Sequence, residues 1–151
     1  MCRIVVKEQV DLLCIQETKR DWVDKWVCQA LWGDSEVCWA ESPTINNAGS
    51  VWCLWNESTF FVERKIISTR FIVLEGVWRC DGERITIANI YTPCVSALKR
   101  NLWEEIKRIK EASQVAMWCV VGDFNSIRRP SERVGLNQWE HVGGTMKEFN
   151  D

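Results

Sequence analysis

The sequence predicts an α/β protein: a layered sandwich with mixed, largely antiparallel sheets and outer helices. Three observations support this prediction. Strand-like segments alternate with helical segments towards both ends of the chain, and the strand-like segments of the middle are joined by hairpin turns. The 151 residues include ten tryptophans, which suggests a wide, aromatic-rich core. This length corresponds to one domain or most of one.

Three segments have the apolar spacing of helices. Residues 1–9 read as the last turns of an amphipathic helix without a preceding cap. Residues 21–32 read as a second helix, with Asp21 as its expected cap and Gly33 as its stop. Ser96 is expected to cap a third helix that runs to about Glu111, with its charges on the exposed side. The expected buried side of that helix carries Leu98, Leu102, Ile106 and Ile109.

Seven segments have the composition of strands. They are residues 10–16, 37–41, 50–55, 60–68, 70–79, 84–91 and 115–121. Residues 80–83, Cys-Asp-Gly-Glu, form a good turn between the fifth and sixth segments. Side chains alternate along a strand, so Ile85, Ile87, Asn89 and Tyr91 should share one face. The last segment is apolar throughout and is expected to be buried.

Composition narrows the class of protein. The net charge of −2 lacks the basic excess of proteins that bind nucleic acid by charge alone, so a nucleic-acid substrate would require a bound cation. No segment has the roughly 18 apolar residues of a membrane span, and the start does not resemble a signal peptide. We therefore expect an intracellular protein, nuclear or cytoplasmic, with no membrane association and no obligate protein partner.

The eight cysteines do not indicate a zinc site. None of them forms a Cys-x-x-Cys pair, and the chain has a single histidine, His141. Several lie within apolar runs, as Cys14, Cys53 and Cys119 do. We expect them to be buried, reduced thiols that pack as small apolar side chains.

Three strand-like segments end in polar residues that together suggest a binding site. Glu17 follows the first of them, Tyr91 ends the sixth, and the seventh runs into residues 122–125, Gly-Asp-Phe-Asn. If the chain stays extended, Asp123 and Asn125 point to the same side, and Gly122 permits a close backbone approach. Carboxylate and amide oxygens are hard ligands that suit Mg²⁺ or Mn²⁺, and a phenol can donate to a phosphate oxygen.

The segments that contain these residues resemble the signatures of the endonuclease/exonuclease/phosphatase superfamily, in order and spacing. They are Leu-Leu-Cys-Ile-Gln-Glu-Thr-Lys at 12–19, Ala-Asn-Ile-Tyr-Thr-Pro at 88–93 and Val-Val-Gly-Asp-Phe-Asn-Ser at 120–126. The resemblance is greatest to the endonuclease domain of plant LINE-type, non-LTR retrotransposons. There, Val-Gly-Asp-Phe-Asn-Ser-Ile-Arg precedes a Ser-Glu-Arg segment, as at 131–133 here. The resemblance implies a single domain over 1–151 with an incomplete DNase I-like fold.

The resemblance also implies roles for individual residues in a metal-dependent phosphodiester hydrolase that acts on DNA. Glu17 would bind the catalytic Mg²⁺ or Mn²⁺, and Asp123 would orient or deprotonate the attacking water. Asn125 would hold that water or a phosphate oxygen, and Tyr91 would stabilise the charge that develops on the phosphate. Three arginines could approach a nucleic-acid backbone or lie in a solvated loop: Arg128, Arg129 and Arg133.

Parts of the superfamily pattern are not present in this sequence. It has neither the opening strand that ends in asparagine nor the closing Ser-Asp-His segment, and Cys94 stands where the pattern has asparagine. His141 is interpreted as an exposed loop residue and not as a substitute for the closing histidine. We therefore expect a chain truncated at both ends, poorly soluble or partly folded by itself, and inactive or weak as an enzyme.

Two alternatives stay open. One is a phosphatase or an RNA phosphodiesterase of the same superfamily, because the residues quoted above discriminate weakly between substrates. The other is a non-catalytic remnant or binding module of the same fold, which the missing motifs favour.

Overall fold

A computed structural model describes residues 3–18, 23–33, 36–43 and 49–126. The chain divides into two compact units. The first comprises Met1–Tyr91 and Ser113–Asp123, and the second comprises Thr92–Ala112 and Phe124–Asp151. The interpretation of the whole chain as one domain stays a prediction.

The described residues form three helices and seven strands in the order α1, β1, α2, β2 to β6, α3, β7. The helices are α1 (Arg3–Lys7), α2 (Lys25–Trp32) and α3 (Ser96–Ala112). The strands are β1 (Leu12–Thr18), β2 (Val37–Glu41), β3 (Ser50–Asn56), β4 (Phe60–Ile67), β5 (Phe71–Trp78), β6 (Arg84–Tyr91) and β7 (Met117–Asp123). None of these helices is long and apolar enough to cross a membrane.

The first unit contains two sheets. One has the strand order β1-β3-β2 and is antiparallel, with Cys14 opposite Cys53 and Ala40 opposite Cys53 on the other side of β3. The other has the order β4-β5-β6-β7; its first three strands are antiparallel, whereas β6 and β7 run parallel. Mixed and antiparallel sheets with helices are the predicted fold class, which the structure confirms.

The two sheets pack face to face around an apolar core. Its buried members come from β2 to β6 and are Ala40, Val51, Cys53, Trp55, Phe60, Ile72, Leu74 and Ile87. A second apolar cluster lies on the other face of the first sheet, where Val5 of α1 and Cys28 and Trp32 of α2 pack against β2 and β3. In the first half of β1, Leu12 and Cys14 therefore face the opposite sheet, and Leu13 and Ile15 face the helices.

Helix α2 ends where the sequence predicted and begins later. Gly33 has φ 90°, and its N–H donates to the carbonyl of Gln29 at 2.8 Å, so it closes the helix in the left-handed conformation. The cap is Asp24, whose carboxylate accepts from the N–H of Val27 at 2.8 Å. Asp21, the expected cap, lies outside the described residues.

Two expectations about burial were wrong. In β7, which was expected to be buried, Met117 is 52% and Val120 is 41% exposed, because among the described strands β7 has a neighbour on one side only. On α3, Leu98 is 45% exposed, whereas Lys99 is only 1% exposed. The ammonium group of Lys99 can be buried because it donates to the carbonyl of Asn125 and to Oγ of Ser126, both at 2.9 Å.

The described cysteines are all free thiols, and the expectation of general burial holds for only some of them. Cys28 and Cys53 are buried, whereas Cys80, Cys94 and Cys119 are exposed. Cys14 is half-buried, and its Sγ lies 3.9 Å from Sγ of Cys53. The hydrogen bond to that thiol, together with burial, raises the pKa of Cys14 far above its ordinary range.

Candidate functional site

The ends of β1 and β6 bring two of the expected site residues into contact. The hydroxyl of Tyr91 donates to Oε1 of Glu17 at 2.7 Å, although the two residues are 74 positions apart in the sequence. Glu17 is exposed and Tyr91 is half-buried, so the pair lies at the rim of the sandwich and not in its core. A carboxylate fixed by a phenol at an exposed rim remains accessible to a cation or an anionic ligand.

Asp123 ends β7 beside Tyr91. The strands β6 and β7 are parallel, and their last pair in register is Tyr91 with Asp123. Gly122 makes this approach possible: its φ is 143°, and a Cβ at this position would lie 1.8 Å from the carbonyl oxygen of Ile90. Adjacent residues on parallel strands share a face, so Asp123 and Tyr91 lie on the same side of their sheet.

A β-bulge turns Glu17 towards this side. The register between β1 and β3 shifts between Ile15 and Thr18, and Glu17 has φ 56°, in the left-handed region. Regular alternation would point Gln16 at the opposite sheet and Glu17 at the helices. Gln16 does face β6, where it bonds to Asn89. Glu17, however, also faces β6, where it bonds to Tyr91.

Asn89 joins the two sheets directly below Tyr91. It is fully buried, and its amide Nδ2 donates to the carbonyls of Trp52 at 2.9 Å and Ile15 at 3.4 Å. Its Oδ1 accepts from Nε2 of Gln16 at 2.5 Å. A buried amide whose donors and acceptor are all used makes a rigid link between the strands that it joins.

Asn125 belongs to the second unit. The extended conformation ends at Asp123, and Asn125 has φ 46°, so the expectation that both side chains follow one alternation does not apply. Its Nδ2 donates to the carbonyl of Thr92 at 2.6 Å, and its own carbonyl accepts from Lys99. Hydrogen bonds of both its side chain and its carbonyl thus stabilise the left-handed conformation of Asn125.

The remaining expected residues are either elsewhere or outside the described part. Arg128, Arg129, Arg133 and His141 lie outside the described residues. Cys94, which stands where the superfamily pattern has asparagine, is exposed. Sequence reasoning missed Lys99 and the bulge at Glu17. It identified the face on which Asn89 lies, but not the contacts that Asn89 makes.

The donor chemistry of the rim fits a small hard cation. Glu17 and Asp123 supply carboxylate oxygens, and Mg²⁺ commonly uses one or two carboxylates and keeps several waters. Within the described residues, no three His, Cys, Asp or Glu side chains are grouped to hold a metal ion. Two carboxylates are a donor set that a partly hydrated hard cation can use.

Comparisons with known proteins support the fold through structure alone. No family model and no curated protein matches the sequence. The catalytic domain of human Nocturnin with bound sulfate is similar in structure, with a TM-score of 0.58 and 15% identity, over 82% of this chain and 54% of that one. The complex of ANGEL2, a 2′,3′-cyclic phosphatase, with adenosine-2′,3′-vanadate is also similar. Its TM-score is 0.63 and its identity 14%, over 83% of this chain and 43% of that one.

The endonuclease domain of TRAS1, a telomere-specific non-LTR retrotransposon, has a TM-score of 0.59 and 15% identity, over 82% of this chain and 50% of that one. The chain thus spans about half the length of these structures. All three belong to the superfamily that the sequence motifs predicted. The chain shares the DNase I-like α/β fold of these structures.

Proposed function

We propose that this chain carries part of the active centre of a divalent-metal-dependent phosphodiester hydrolase whose substrate is DNA. The observation that carries the proposal is the contact between Tyr91 and Glu17, next to Asp123 at the rim. Carboxylates that bind a cation, beside a phenol that can donate to a phosphate oxygen, can together catalyse phosphodiester hydrolysis.

Each residue is proposed to have one role. Glu17 holds Mg²⁺ or Mn²⁺, Asp123 orients the attacking water and accepts its proton, and Tyr91 donates to the phosphate as negative charge develops. Asn125 is assigned through its motif to hold the water or a phosphate oxygen. When bound, the cation supplies the positive charge that offsets the anionic phosphate.

DNA is proposed as the substrate because of the resemblance to retrotransposon endonucleases. The motifs around Glu17, Tyr91 and Asp123 resemble those of retrotransposon endonucleases, and the TRAS1 endonuclease domain shares the fold. With a net charge of −2, the chain needs a cation to bind such a polyanion, which agrees with a metal-dependent site. Arg128, Arg129 and Arg133 are proposed to contact the DNA backbone.

A second candidate is hydrolysis of a 2′,3′-cyclic phosphate. The fold similarity to ANGEL2 has the highest TM-score of the three comparisons reported above, and ANGEL2 is described as a 2′,3′-cyclic phosphatase. The same carboxylates and phenol could act on that phosphate, so substrate comparison distinguishes the two candidates.

The test is a single-turnover assay with the protein in excess over supercoiled plasmid, in the presence of Mg²⁺. We expect slow nicking that chelation stops and that Asp123→Asn reduces by about 100-fold or more, because a general base contributes roughly this factor. Parallel reactions with adenosine 2′,3′-cyclic phosphate test the second candidate.

The outcomes separate the candidates. Nicking that Asp123→Asn removes supports a DNA hydrolase, and turnover of the cyclic nucleotide alone supports the second candidate. Absence of both reactions contradicts hydrolysis by this chain and leaves the binding-module alternative.

A further inference from the structure

We infer that Gly49 and the Gln16–Asn89 pair are positioning residues that impose the bulge at Glu17 and thereby aim its carboxylate at Tyr91. The inferred geometry stands by itself, but its importance for cation binding rests on the proposed function. The three residues act on the backbone of Glu17 or its neighbour and have no proposed contact with substrate.

Regular alternation along β1 would turn Glu17 away from β6. Leu12 and Cys14 pack into the core between the sheets, whereas Leu13 and Ile15 pack towards the helices. Continued alternation would send Gln16 into the sandwich and Glu17 away from it. Only the irregular register between Ile15 and Thr18 allows Glu17 to face the same strand as Gln16.

The bulge at Glu17 occupies the space that a side chain at position 49 would need. A Cβ added to Gly49 would lie 2.4 Å from Cα and 2.8 Å from the carbonyl carbon of Glu17. Both are backbone atoms of the bulge, so no side-chain rotation relieves this clash. Glycine at this position is therefore a requirement of the left-handed conformation at Glu17, where φ is 56°.

Gln16, the residue before Glu17, is anchored to β6 by its side chain. The side chain of Gln16 is fixed by its hydrogen bond to Oδ1 of Asn89, which is itself fixed to the carbonyls of Trp52 and Ile15. With Gln16 held towards β6, a bulge is the conformation that also brings Glu17 to β6. The anchor and the glycine thus favour the same backbone conformation from opposite sides.

The test uses Tyr91 as a reporter, because it is the only tyrosine in the sequence. The full chain is labelled with tyrosine carrying ¹³C at Cζ, so that NMR shows one tyrosine signal whose position depends on the hydrogen bond of the hydroxyl. Glu17→Ala removes the acceptor and defines the position of the signal without that bond.

We expect Gly49→Ala to move the signal to the position seen in Glu17→Ala. The matched control is Gly76→Ala, whose Cβ would lie 2.4 Å from the carbonyl oxygen of Phe61, a clash of the same size between β4 and β5. That control should leave the signal where it is in the unchanged protein. Gln16→Met, a milder change, should move the signal in the same direction as Gly49→Ala.

The inference is overturned if Gly49→Ala, folded, keeps the original signal, or if Gly76→Ala moves it equally. If Gly49→Ala does not fold, Gln16→Met decides: an unmoved signal overturns the inference, and a moved signal supports it. Addition of Mn²⁺ to the unchanged protein separates this question from the proposed function. Absence of paramagnetic broadening of the Tyr91 signal contradicts cation binding at the rim but does not alter the comparison of the variants.

Discussion

Glu17 has a backbone conformation that glutamate rarely adopts, and it is the residue proposed to bind the cation. Its φ of 56° lies in the region where a Cβ crowds the following carbonyl. Backbone strain of this kind persists where the surrounding structure enforces it and is common at binding sites. Here the hydrogen bond from Tyr91 and the close approach of Gly49 accompany it.

Replacement of Glu17 therefore allows strain and function to be measured separately. Glu17→Gly should be more stable to unfolding than Glu17→Ala by about 1–2 kcal/mol, because glycine adopts the left-handed conformation without a Cβ clash. Both variants lose the carboxylate, so both should lose cation binding. Urea denaturation followed by tryptophan fluorescence measures the difference, and equal stabilities would show that Glu17 is not strained.

The bulge also shows what a sequence pattern cannot report. Ile15, Gln16 and Glu17 follow strand alternation in their residue types, and nothing in them signals a left-handed residue. Gly49 is visible in the sequence, but Glu17, the residue whose conformation it permits, lies more than thirty positions earlier. By contrast, Gly33 acts on the helix that it ends, where local patterns are informative.

The predicted bounds of strands and helices agree best with the structure where neighbouring residues define the element. The bounds of β2 and β6 are those expected, because alternation and turn residues define both. Helix α3 has the expected extent, but its burial was misjudged at Leu98 and Lys99. Periodicity identifies a helix face, whereas a buried lysine depends on acceptors that lie far away in the sequence, here Asn125 and Ser126.

Lys99 is expected to stabilise the turn around Asn125. Lys99→Met keeps most of the volume but removes a charged donor from two acceptors, and hydrogen bonds of this kind contribute about 1.5–3 kcal/mol each before desolvation is counted. We expect a lower midpoint of thermal unfolding than in Lys107→Met, since Lys107 is exposed on the same helix. Equal midpoints for the two variants would show that the buried ammonium contributes no net stability.

Strand β7 presents exposed apolar side chains at the end of its sheet. In the part of the chain that the structure describes, it ends the order of the second sheet and exposes Met117 and Val120. Apolar side chains on an edge strand favour association between molecules.

Replacement of one of these side chains should improve solubility without loss of the fold. Val120→Lys places a charge on an exposed face and should lower aggregation, measured by light scattering at matched concentration. Val73→Lys, at a fully buried position of β5, serves as the contrasting variant and should unfold the protein. If Val120→Lys aggregates as much as the unchanged protein, β7 is not the surface through which molecules associate.

For the first unit as a whole, the fold places polar groups at one end of an apolar sandwich. The core supplies the rigidity, and the last residues of β1, β6 and β7 supply Glu17, Tyr91 and Asp123. The sequence motifs predicted the fold and placed these three residues at strand ends, whereas their roles stay predictions. The contacts that orient Glu17 could not be predicted, since they join strands distant in sequence.

Glu17 is proposed to bind a divalent cation at the rim, next to Asp123, and the affinity of the chain for Mn²⁺, obtained from the EPR signal of the free ion, tests this directly. We predict that Glu17→Gln weakens Mn²⁺ binding by more than about tenfold, because it removes the carboxylate that holds the ion, and that Asp123→Asn weakens it less, because it removes only a neighbouring negative charge. Glu57→Gln, which removes one carboxylate at the opposite end of β3 from Glu17, should bind as the unchanged protein does. Equal affinities in all four proteins, or no binding by the unchanged chain, would contradict the account.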